Sequence, residues 1–283
     1  MKVDVTRSVR TMAKDTLSIC RQALGLRHDY TKRRVRYLKT RNDATADQDR
    51  IEQISAAFGL SAEVVESYVK SFEVCCIDDP ELHFLWRRSG RDLMSIRDQK
   101  TLFALACAAQ PVLCVETGAS GGASTTALLA GMRRGPQAAV HSIDLMSDDA
   151  RYFGQLIPGR LRRYWHLHLQ GNNEVVLPSL LGTLWQIDFF LHDSNHTWKH
   201  MTWEYETAWP RLSPGGCLAS HDVLCNNAFA TFVDRHRNHI AATGLIGNFG
   251  FRVKACTCLL ASMWPLSATH SVMAVPSALR VRW

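Results

Sequence analysis

The strongest constraint on the fold is an alternation of short apolar runs with amphipathic stretches from residue 111 onwards. The apolar runs cover 112–116, 138–143, 166–169, 187–191 and 216–220, and the amphipathic stretches cover 124–133, 149–156, 174–181, 197–212 and 226–240. Five such alternations predict an α/β fold, a parallel sheet with helices on both faces. A last apolar run after Phe249 has no helix behind it, so an antiparallel hairpin is expected at the sheet edge.

The residues before this alternation show helical periodicity only. Patterns at 51–58, 62–72 and 96–109 predict helices, with Ser61 and Ser95 as N-caps of the second and third. We therefore expect four segments: a basic arm at 1–41, a helical lid or prelude at 42–109, an α/β domain at 110–262, and a tail at 263–283.

The net charge of +7, from 33 Lys+Arg against 26 Asp+Glu, is unevenly distributed along the chain. Residues 1–41 hold 12 basic and 3 acidic residues (+9), so residues 42–283 hold 21 basic and 23 acidic residues (−2). Basic arms bind the phosphates of nucleic acid or an anionic surface. Since the rest of the chain has no basic stripe, nucleic acid is only an alternative partner, and the arm and prelude helices are candidate surfaces for a homo-oligomer.

A glycine-rich turn follows the first predicted strand, in the sequence Val-Leu-Cys-Val-Glu-Thr-Gly-Ala-Ser-Gly-Gly of 112–122. Such a turn brings backbone N–H groups and a helix N-terminus close to a polar ligand. A phosphate-binding P-loop is excluded because the Gly-Lys-Ser/Thr ending is missing. The dinucleotide motif G-x-G-x-x-G is excluded too, since Ser120 and Ala123 stand at its second and third glycine positions.

The remaining pattern resembles the first motif of class I S-adenosylmethionine (SAM)-dependent methyltransferases. The resemblance implies a Rossmann-like, doubly wound, mostly parallel seven-stranded sheet that binds SAM. It implies that the cofactor contacts the acid at the end of the first strand, Glu116, and the loop residues Gly118, Ser120 and Gly122. It also implies contacts by the residues that follow the second, third and fourth strands, which are Asp144, Asn172 and Asp193. Many relatives have an acid where this chain has Asn172. Outside the resemblance, Asp144 could simply cap a turn.

Two later segments extend the resemblance over about residues 95–260. Ile-Asp-Phe-Phe-Leu-His-Asp-Ser-Asn-His at 187–196 and Leu-Ser-Pro-Gly-Gly at 212–216, followed by His221-Asp222, are similar to motifs of the bacterial methyltransferase domain family 24. The implied activity is methyl transfer to a small molecule such as a sugar, a phenol or another secondary metabolite, with oxygen favoured over nitrogen as the acceptor atom.

A hydroxyl acceptor must lose its proton, and the sequence offers two ways to remove it. His196 is the first candidate for a general base and His221 the second, with Asp193 beside them. The other candidate is Mg²⁺, for which Asp193 and Asp222 match acids of metal-dependent relatives, although His221 stands where those relatives often have a second acid. His200 lies one helical turn after His196, but the glutamate of H-E-x-x-H is missing, so His200 is expected to be a surface or capping histidine.

Several classes of protein are disfavoured by composition. No run of 18 apolar residues and no apolar signal region occurs, so a cytoplasmic protein is expected. The nine cysteines include no C-x-x-C pair, which argues against a zinc or disulfide framework. Two alternatives to a small-molecule enzyme stay open: an RNA methyltransferase that uses the basic arm, and a non-catalytic SAM-binding or scaffold protein.

Overall fold

The computed structural model describes residues 44–82, 85, 94–145 and 153–256, so the basic arm 1–41 and the tail 263–283 lie outside the described residues. The helices are α1 (Ala44–Phe58), α2 (Ala62–Phe72), α3 (Ile96–Ala109), α4 (Ala123–Gly131), α5 (Asn173–Leu184), α6 (Trp198–Ala208) and α7 (Ala228–His236). The strands are β1 (Leu113–Thr117), β2 (Ala139–Ile143), β3 (Trp165–His168), β4 (Ile187–His192), β5 (Leu212–Ser220), β6 (Ile240–Ile246) and β7 (Phe249–Lys254). Among these residues, no helix combines the length and apolar character that a bilayer crossing requires.

The described strands form one seven-stranded sheet in the order β3-β2-β1-β4-β5-β7-β6. Strands β1 to β5 are parallel, and β7 is antiparallel to both of its neighbours. The strand order reverses between β1 and β4, as in doubly wound folds, where ligands bind beyond the carboxyl ends of the strands at such a reversal. The predicted fold class, a Rossmann-like and mostly parallel sheet with an antiparallel edge hairpin, is confirmed.

The prediction of a helix over 226–240 is wrong at its C-terminal end. Helix α7 ends at His236, and Ile240 begins strand β6. The phenyl ring of Phe251 on β7 lies where a side chain at Gly244 would stand, since a Cβ built there meets the ring at 2.0 Å. Pairing between β6 and β7 therefore overrides the local helical pattern. The helix expected at 149–156 falls mostly outside the described residues, and residues 153–156 form a turn.

The free edge of β6 is covered by a side chain of α1. The Gln53 side chain donates Nε2–H to the carbonyl of Leu245 at 2.9 Å and accepts the Leu245 N–H at 2.6 Å. The amide of Gln53 thus pairs with the edge strand as another strand would, which leaves fewer free backbone groups at that edge.

The N-terminal helices share one hydrophobic core with a face of the sheet. Phe72 on α2 packs edge to face against Phe103 on α3 with ring centroids 5.6 Å apart, and Phe58 stacks on Phe251 of β7 at 6.5 Å. The same buried cluster includes Phe189 of β4. The segment predicted as a prelude is therefore packed directly on the sheet.

Helix α3 begins at the edge of the sheet where the parallel strands end. Only residues 110–112 separate α3 from β1, so the helix must run antiparallel to that strand. The predicted N-cap is confirmed, because Ser95 Oγ accepts the backbone N–H of Asp98 at 3.2 Å. Asp98 is thereby carried to the carboxyl edge of the sheet.

A buried arginine fixes α3 against α1. Arg50 is 1% exposed and donates from Nε to Thr101 Oγ1 at 2.9 Å and from Nη2 to the carbonyl of Arg97 at 3.3 Å. Asp47 forms an ion pair with Nη1 of the same guanidinium. Burial lowers the pKa of Arg50 more than Asp47 raises it. These bonds hold the first turn of α3, and with it Asp98, in one position.

Because the helices share a core with the sheet, a cavity in α2 should destabilise the whole chain. Phe72→Ala removes a fully buried ring and is expected to lower the free energy of unfolding by about 3–5 kcal/mol in a single urea transition. The control Val74→Ala, at a side chain that is 64% exposed, should change it by less than about 0.5 kcal/mol. A separate early transition in Phe72→Ala would show instead that the helices unfold independently.

Candidate active site

The polar residues predicted for the site come together beyond the carboxyl ends of β1, β2, β4 and β5. Backbone hydrogen bonds continue past the strands: Gly118 N–H to Ile143 O at 2.8 Å, Asp193 N–H to Thr117 O at 3.0 Å, and His221 N–H to His192 O at 3.0 Å. These hydrogen bonds fix the first loop residue after each strand relative to the adjacent strand.

The glycine loop is packed too closely for side chains at two positions. Gly118 has φ +87°, and a Cβ there would lie 2.0 Å from the carbonyl oxygen of Asp193. Gly122, at φ +88°, starts α4, and its Cβ would meet Gly154 and Ile157 at 2.9 Å. The loop after β1 thus touches the loop after β4, and glycine is required at both positions.

Glu116 lies beneath the glycine loop and is fully buried. Its Oε1 accepts from Ser142 Oγ at 2.6 Å and from Thr125 Oγ1, while its Oε2 has no hydrogen-bond partner within the ranges that the structure describes. Burial raises the pKa of Glu116 to about 7, and the bonds from Ser142 and Thr125 only partly oppose that rise. One carboxylate oxygen is therefore buried and unsatisfied under the loop that the sequence assigns to the cofactor.

Asp144 lies just after β2, and its carboxylate ties that strand end to the glycine loop. Its Oδ2 accepts the backbone N–H of Ser120 and its Oδ1 accepts that of Leu145, both at 2.7 Å. Each oxygen keeps a further lone pair, so the group can still accept from a diol. Asn172 is the exposed N-cap residue of α5, and its side chain makes no cap bond.

Four side chains from the ends of β4 and β5 form a cluster: Asp193, His196, His221 and Asp222. Asp193 Oδ1 lies 3.0 Å from His221 Nδ1 and 3.6 Å from His196 Nε2. Asp222 Oδ2 lies 3.5 Å and 3.7 Å from the same two nitrogens. The Nε2 of His196 is buried, and no residue in the described part of the chain forms a hydrogen bond with it. Two ring nitrogens and two carboxylate oxygens therefore lie side by side.

Neighbouring groups hold this cluster in place. Asn226 donates to the carbonyl of His196 at 2.9 Å, and Asn248 donates to Oδ1 of Asp222, which leaves Oδ2 turned toward the histidines. Asp222 itself has a φ of +54°, an uncommon backbone conformation for a residue other than glycine. Such strain is often found at functional sites.

The charges of the cluster shift two pKa values in opposite directions. Burial acts against the charge on His221, but its hydrogen bonds to Asp193 and Asp98 outweigh burial and raise its pKa to about 11. Burial would raise the pKa of Asp193, yet the adjacent His196 and His221 bring it below its usual value. Without a bound ion, His221 and Asp193 therefore form a charged pair at neutral pH.

Three of the four side chains lie close enough to one another to hold a divalent cation. Ligand atoms about 2.1 Å from one ion lie roughly 3.0–3.4 Å apart, close to the separations in the cluster. Of the described residues, Asp193, His196 and His221 each offer one ligand atom within 4.8 Å of the others. From the sequence, only Asp193 and Asp222 were predicted as cation ligands, and His196 and His221 were predicted as general bases.

A buried glutamate that the sequence analysis missed connects three loops of the site. Glu204 on α6 is fully buried and accepts hydrogen bonds from Thr117, Asn173, His192, Ser194 and His200 at 2.6–2.9 Å. Burial alone would raise the pKa of Glu204, but the bonds from His192 and His200 bring it well below its usual value.

The expectation that His200 lies at the surface is wrong. Its side chain is 11% exposed and lies 2.9 Å from Glu204 and 3.2 Å from Glu174. The bond to Glu204 raises the pKa of His200, and burial only partly offsets this rise. The signal that could have revealed Glu204 is an acid on the apolar face of α6, beside Met201, Tyr205 and Ala208, where an unpaired charge would be costly.

Glu116 should make the stability of the unliganded protein depend on pH. Its folded-state pKa of about 7 exceeds the ordinary 4.5, so the protonated form stabilises the fold. The free energy of unfolding, measured relative to Glu116→Gln, is expected to be highest below about pH 4.5 and to fall by roughly 3 kcal/mol as the pH rises through about 7. Urea titrations between pH 4 and 8 measure this difference, and parallel curves for the two proteins would contradict it.

Solved structures similar to this chain include several methyltransferases. An O-methyltransferase from Bacillus cereus in complex with SAH is 16% identical, with a TM-score of 0.47 over 67% of this chain and 99% of that one. The O-methyltransferase TomG from Streptomyces achromogenes, involved in tomaymycin synthesis and in complex with SAM, is 17% identical, with a TM-score of 0.46 over 67% and 96%. MycE methyltransferase from the mycinamycin biosynthetic pathway, in complex with Mg, SAH and mycinamycin VI, is 14% identical, with a TM-score of 0.45 over 62% and 55%.

No curated protein matches the chain. A family model described as a methyltransferase domain, that of methyltransferase family 24, matches residues 115–223. This segment runs from β1 through the glycine loop, Asp144 and the β4 loop to Asp222, and so contains the strand-end motifs on which the resemblance was based. The resemblance to methyltransferase domain family 24 is therefore confirmed over residues 115–223.

Proposed function

We propose that this chain is a SAM-dependent methyltransferase that methylates a hydroxyl group of a small-molecule acceptor. The observation that carries the proposal is the Nε2 atom of His196, which is buried beside two carboxylates and has no hydrogen-bond partner among the described residues. A lone pair in that position is suited to receive a proton or to bind a cation. Either use makes a hydroxyl group nucleophilic.

The residues around the glycine loop fit the cofactor. Asp144 has one free lone pair on each oxygen for the two ribose hydroxyls. Helix α4 starts at Gly122 without a side-chain cap, which suits a negatively charged group such as the cofactor's carboxylate. The unpaired Oε2 of Glu116 lies beneath the same loop. Contacts by Ser120 and Asn172 stay predictions from the family motif.

SAM supplies a methyl group on a positively charged sulfur, which leaves as a neutral thioether after transfer. The protein has to align the acceptor oxygen behind that methyl group and remove the hydroxyl proton. His196 Nε2 can take the proton, and Asp193, 3.6 Å away, would then stabilise the imidazolium. His221 is already paired with Asp193 and is less suited to act as the base.

A divalent cation held by Asp193, His196, His221 and Asp222 is the other way to activate the acceptor. A cation there would lower the pKa of a hydroxyl group that it binds. Two imidazole nitrogens with two carboxylates favour Mn²⁺, Fe²⁺, Co²⁺ or Zn²⁺, whereas Mg²⁺ prefers oxygen ligands. We therefore propose a cation of the first kind at this cluster, rather than the Mg²⁺ that the two acids alone would favour.

Removal of the Asp144 carboxylate should weaken cofactor binding. Asp144→Ala and Asp144→Asn are expected to raise the Kd for SAM, measured by isothermal titration calorimetry, by about 10- to 100-fold, because charge-assisted bonds to the ribose are lost. Asp234→Asn, at a side chain that is 76% exposed, is the charge-matched control and should bind SAM normally. If the wild-type protein does not bind SAM, the proposed function is wrong.

Removal of the His196 side chain should affect turnover but not cofactor binding. His196→Ala is expected to bind SAM like the wild type and to lower kcat by about 10²- to 10⁴-fold, because proton removal is lost. The measurement is SAH release together with a mass gain of one methyl group on a panel of phenolic and sugar acceptors. Unchanged kcat in His196→Ala would exclude both roles of this residue.

A chelator separates the two roles of His196. With a cation at the cluster, dialysis against EDTA should abolish turnover, and Mn²⁺ or Co²⁺ should restore it more effectively than Mg²⁺ at equal concentration. Full activity after dialysis would leave His196 as the general base.

A further inference from the structure

His221 has carboxylates at both ring nitrogens, and they come from different parts of the fold. Nδ1 lies 3.0 Å from Asp193 Oδ1, inside the cluster after β4. Nε2 lies 3.2 Å from Asp98 Oδ2, on the first turn of α3. Asp98 is 123 residues away in sequence and lies outside the matched segment 115–223. The helical segment therefore reaches the site through one carboxylate.

Asp98 is held so that its Oδ2 faces His221. The same Oδ2 accepts from Ser95 Oγ at 2.5 Å, and the Asp98 backbone N–H donates back to Ser95 Oγ at 3.2 Å. The side chain is 15% exposed, so little water competes for the oxygen. Arg50 anchors the next turn of α3 through Thr101. The position of the carboxylate is thus fixed before any ligand binds.

We propose that Asp98 is a positioning residue that accepts the Nε2–H of His221 and so presents the Nδ1 lone pair of His221 to a cation in the cluster. The proposal rests on the cation site of the proposed function. A cation that binds at Nδ1 has to displace the proton that His221 shares there with Asp193. The neutral imidazole that results carries one proton, and the Asp98 carboxylate keeps that proton on Nε2. Carboxylates placed in this way behind ligating histidines fix the ring and raise its basicity.

The consequence for the site is that cation affinity depends on a helix outside the matched segment. Without Asp98, the Nε2–H of His221 would lose its partner, and its proton could occupy Nδ1, where it would block the ligand position. The ring would also be free to rotate about Cβ–Cγ. Both effects weaken binding of a cation that uses nitrogen ligands, and neither involves a change in the Asp193 or Asp222 carboxylates.

The test is Co²⁺ binding to the purified full chain, followed by visible absorption and calorimetry. Asp98→Ala is expected to weaken Co²⁺ binding by about 10- to 100-fold, and Asp98→Asn, which keeps a neutral acceptor, by less. Ser95→Ala is the matched control. It removes one of the bonds that hold Oδ2 but leaves the carboxylate beside His221, so Co²⁺ binding should weaken clearly less than in Asp98→Ala, while thermal stability falls.

A second measurement reads the proton position directly. In ¹H–¹⁵N spectra of histidine-labelled, Zn²⁺-loaded protein, His221 should carry its proton on Nε2, and this signal should shift or broaden in Asp98→Ala. Unchanged Co²⁺ affinity in Asp98→Ala would overturn the proposal, and so would equal losses in Asp98→Ala and Ser95→Ala, which would indicate that only the placement of α3 matters.

The proposal and the proposed function fail in different ways. A wild-type protein that binds SAM but no divalent cation would overturn the role of Asp98 and leave the methyltransferase standing, with His196 as its base. A protein whose Co²⁺ affinity depends on Asp98 but which does not bind SAM would support the role of Asp98 and contradict the proposed function.

Discussion

The buried carboxylate of Glu204 is the interaction on which the geometry of the site depends. It gathers donors from the end of β1, the end of β4 and the start of α5, namely Thr117, His192 and Asn173. A buried charge with this many donors is stable only while the donors stay in place. Removing one donor leaves part of the buried charge without a hydrogen bond, which lowers the free energy of unfolding. Glu204 therefore couples the position of the glycine loop to that of the Asp193 loop.

This coupling is reinforced by close backbone contact. Gly118 packs against the carbonyl of Asp193, so the loop that the family motif assigns to the cofactor cannot move far without the loop that holds the acid cluster. A methyltransferase has to align donor and acceptor to within fractions of an ångström. The buried hydrogen bonds of Glu204 and the tight packing of Gly118 can maintain such an alignment, because both limit the movement of the two loops.

The sequence predicted the parts of this protein that depend on local pattern. Helices at 62–72 and 96–109 were placed to the residue, and the acids at strand ends were assigned to one edge because parallel strands must end together. The edge hairpin was predicted, but its first strand β6 was not located, because the close contact of Gly244 with the ring of Phe251 on β7 leaves no signal in the local sequence. Contacts between distant segments produce no periodic pattern in the local sequence, so they could not be predicted from it.

Asp98 and Glu204 were missed for that same reason. The cap residue Ser95 was recognised, and a serine followed three residues later by an acid is typical of a helix start. The sequence alone could not show that the same carboxylate bonds to His221, since this contact needs the direction of α3 relative to β5. Glu204 was not recognised, because three of its donors, Thr117, Asn173 and His192, come from other segments of the chain.

The two roles open to His196 have different consequences for the rest of the cluster. A single lone pair on Nε2 cannot bind a cation and accept a proton at once. If a cation is bound there, the acceptor's proton must pass to another group. Asp222 Oδ2 would then be a ligand of the cation too. A hydroxyl group whose pKa the cation lowers could release its proton to water. If no cation is bound, Asp222 and Asp193 instead flank the imidazolium that forms on His196. The same four side chains support either chemistry, and the position of one proton distinguishes them.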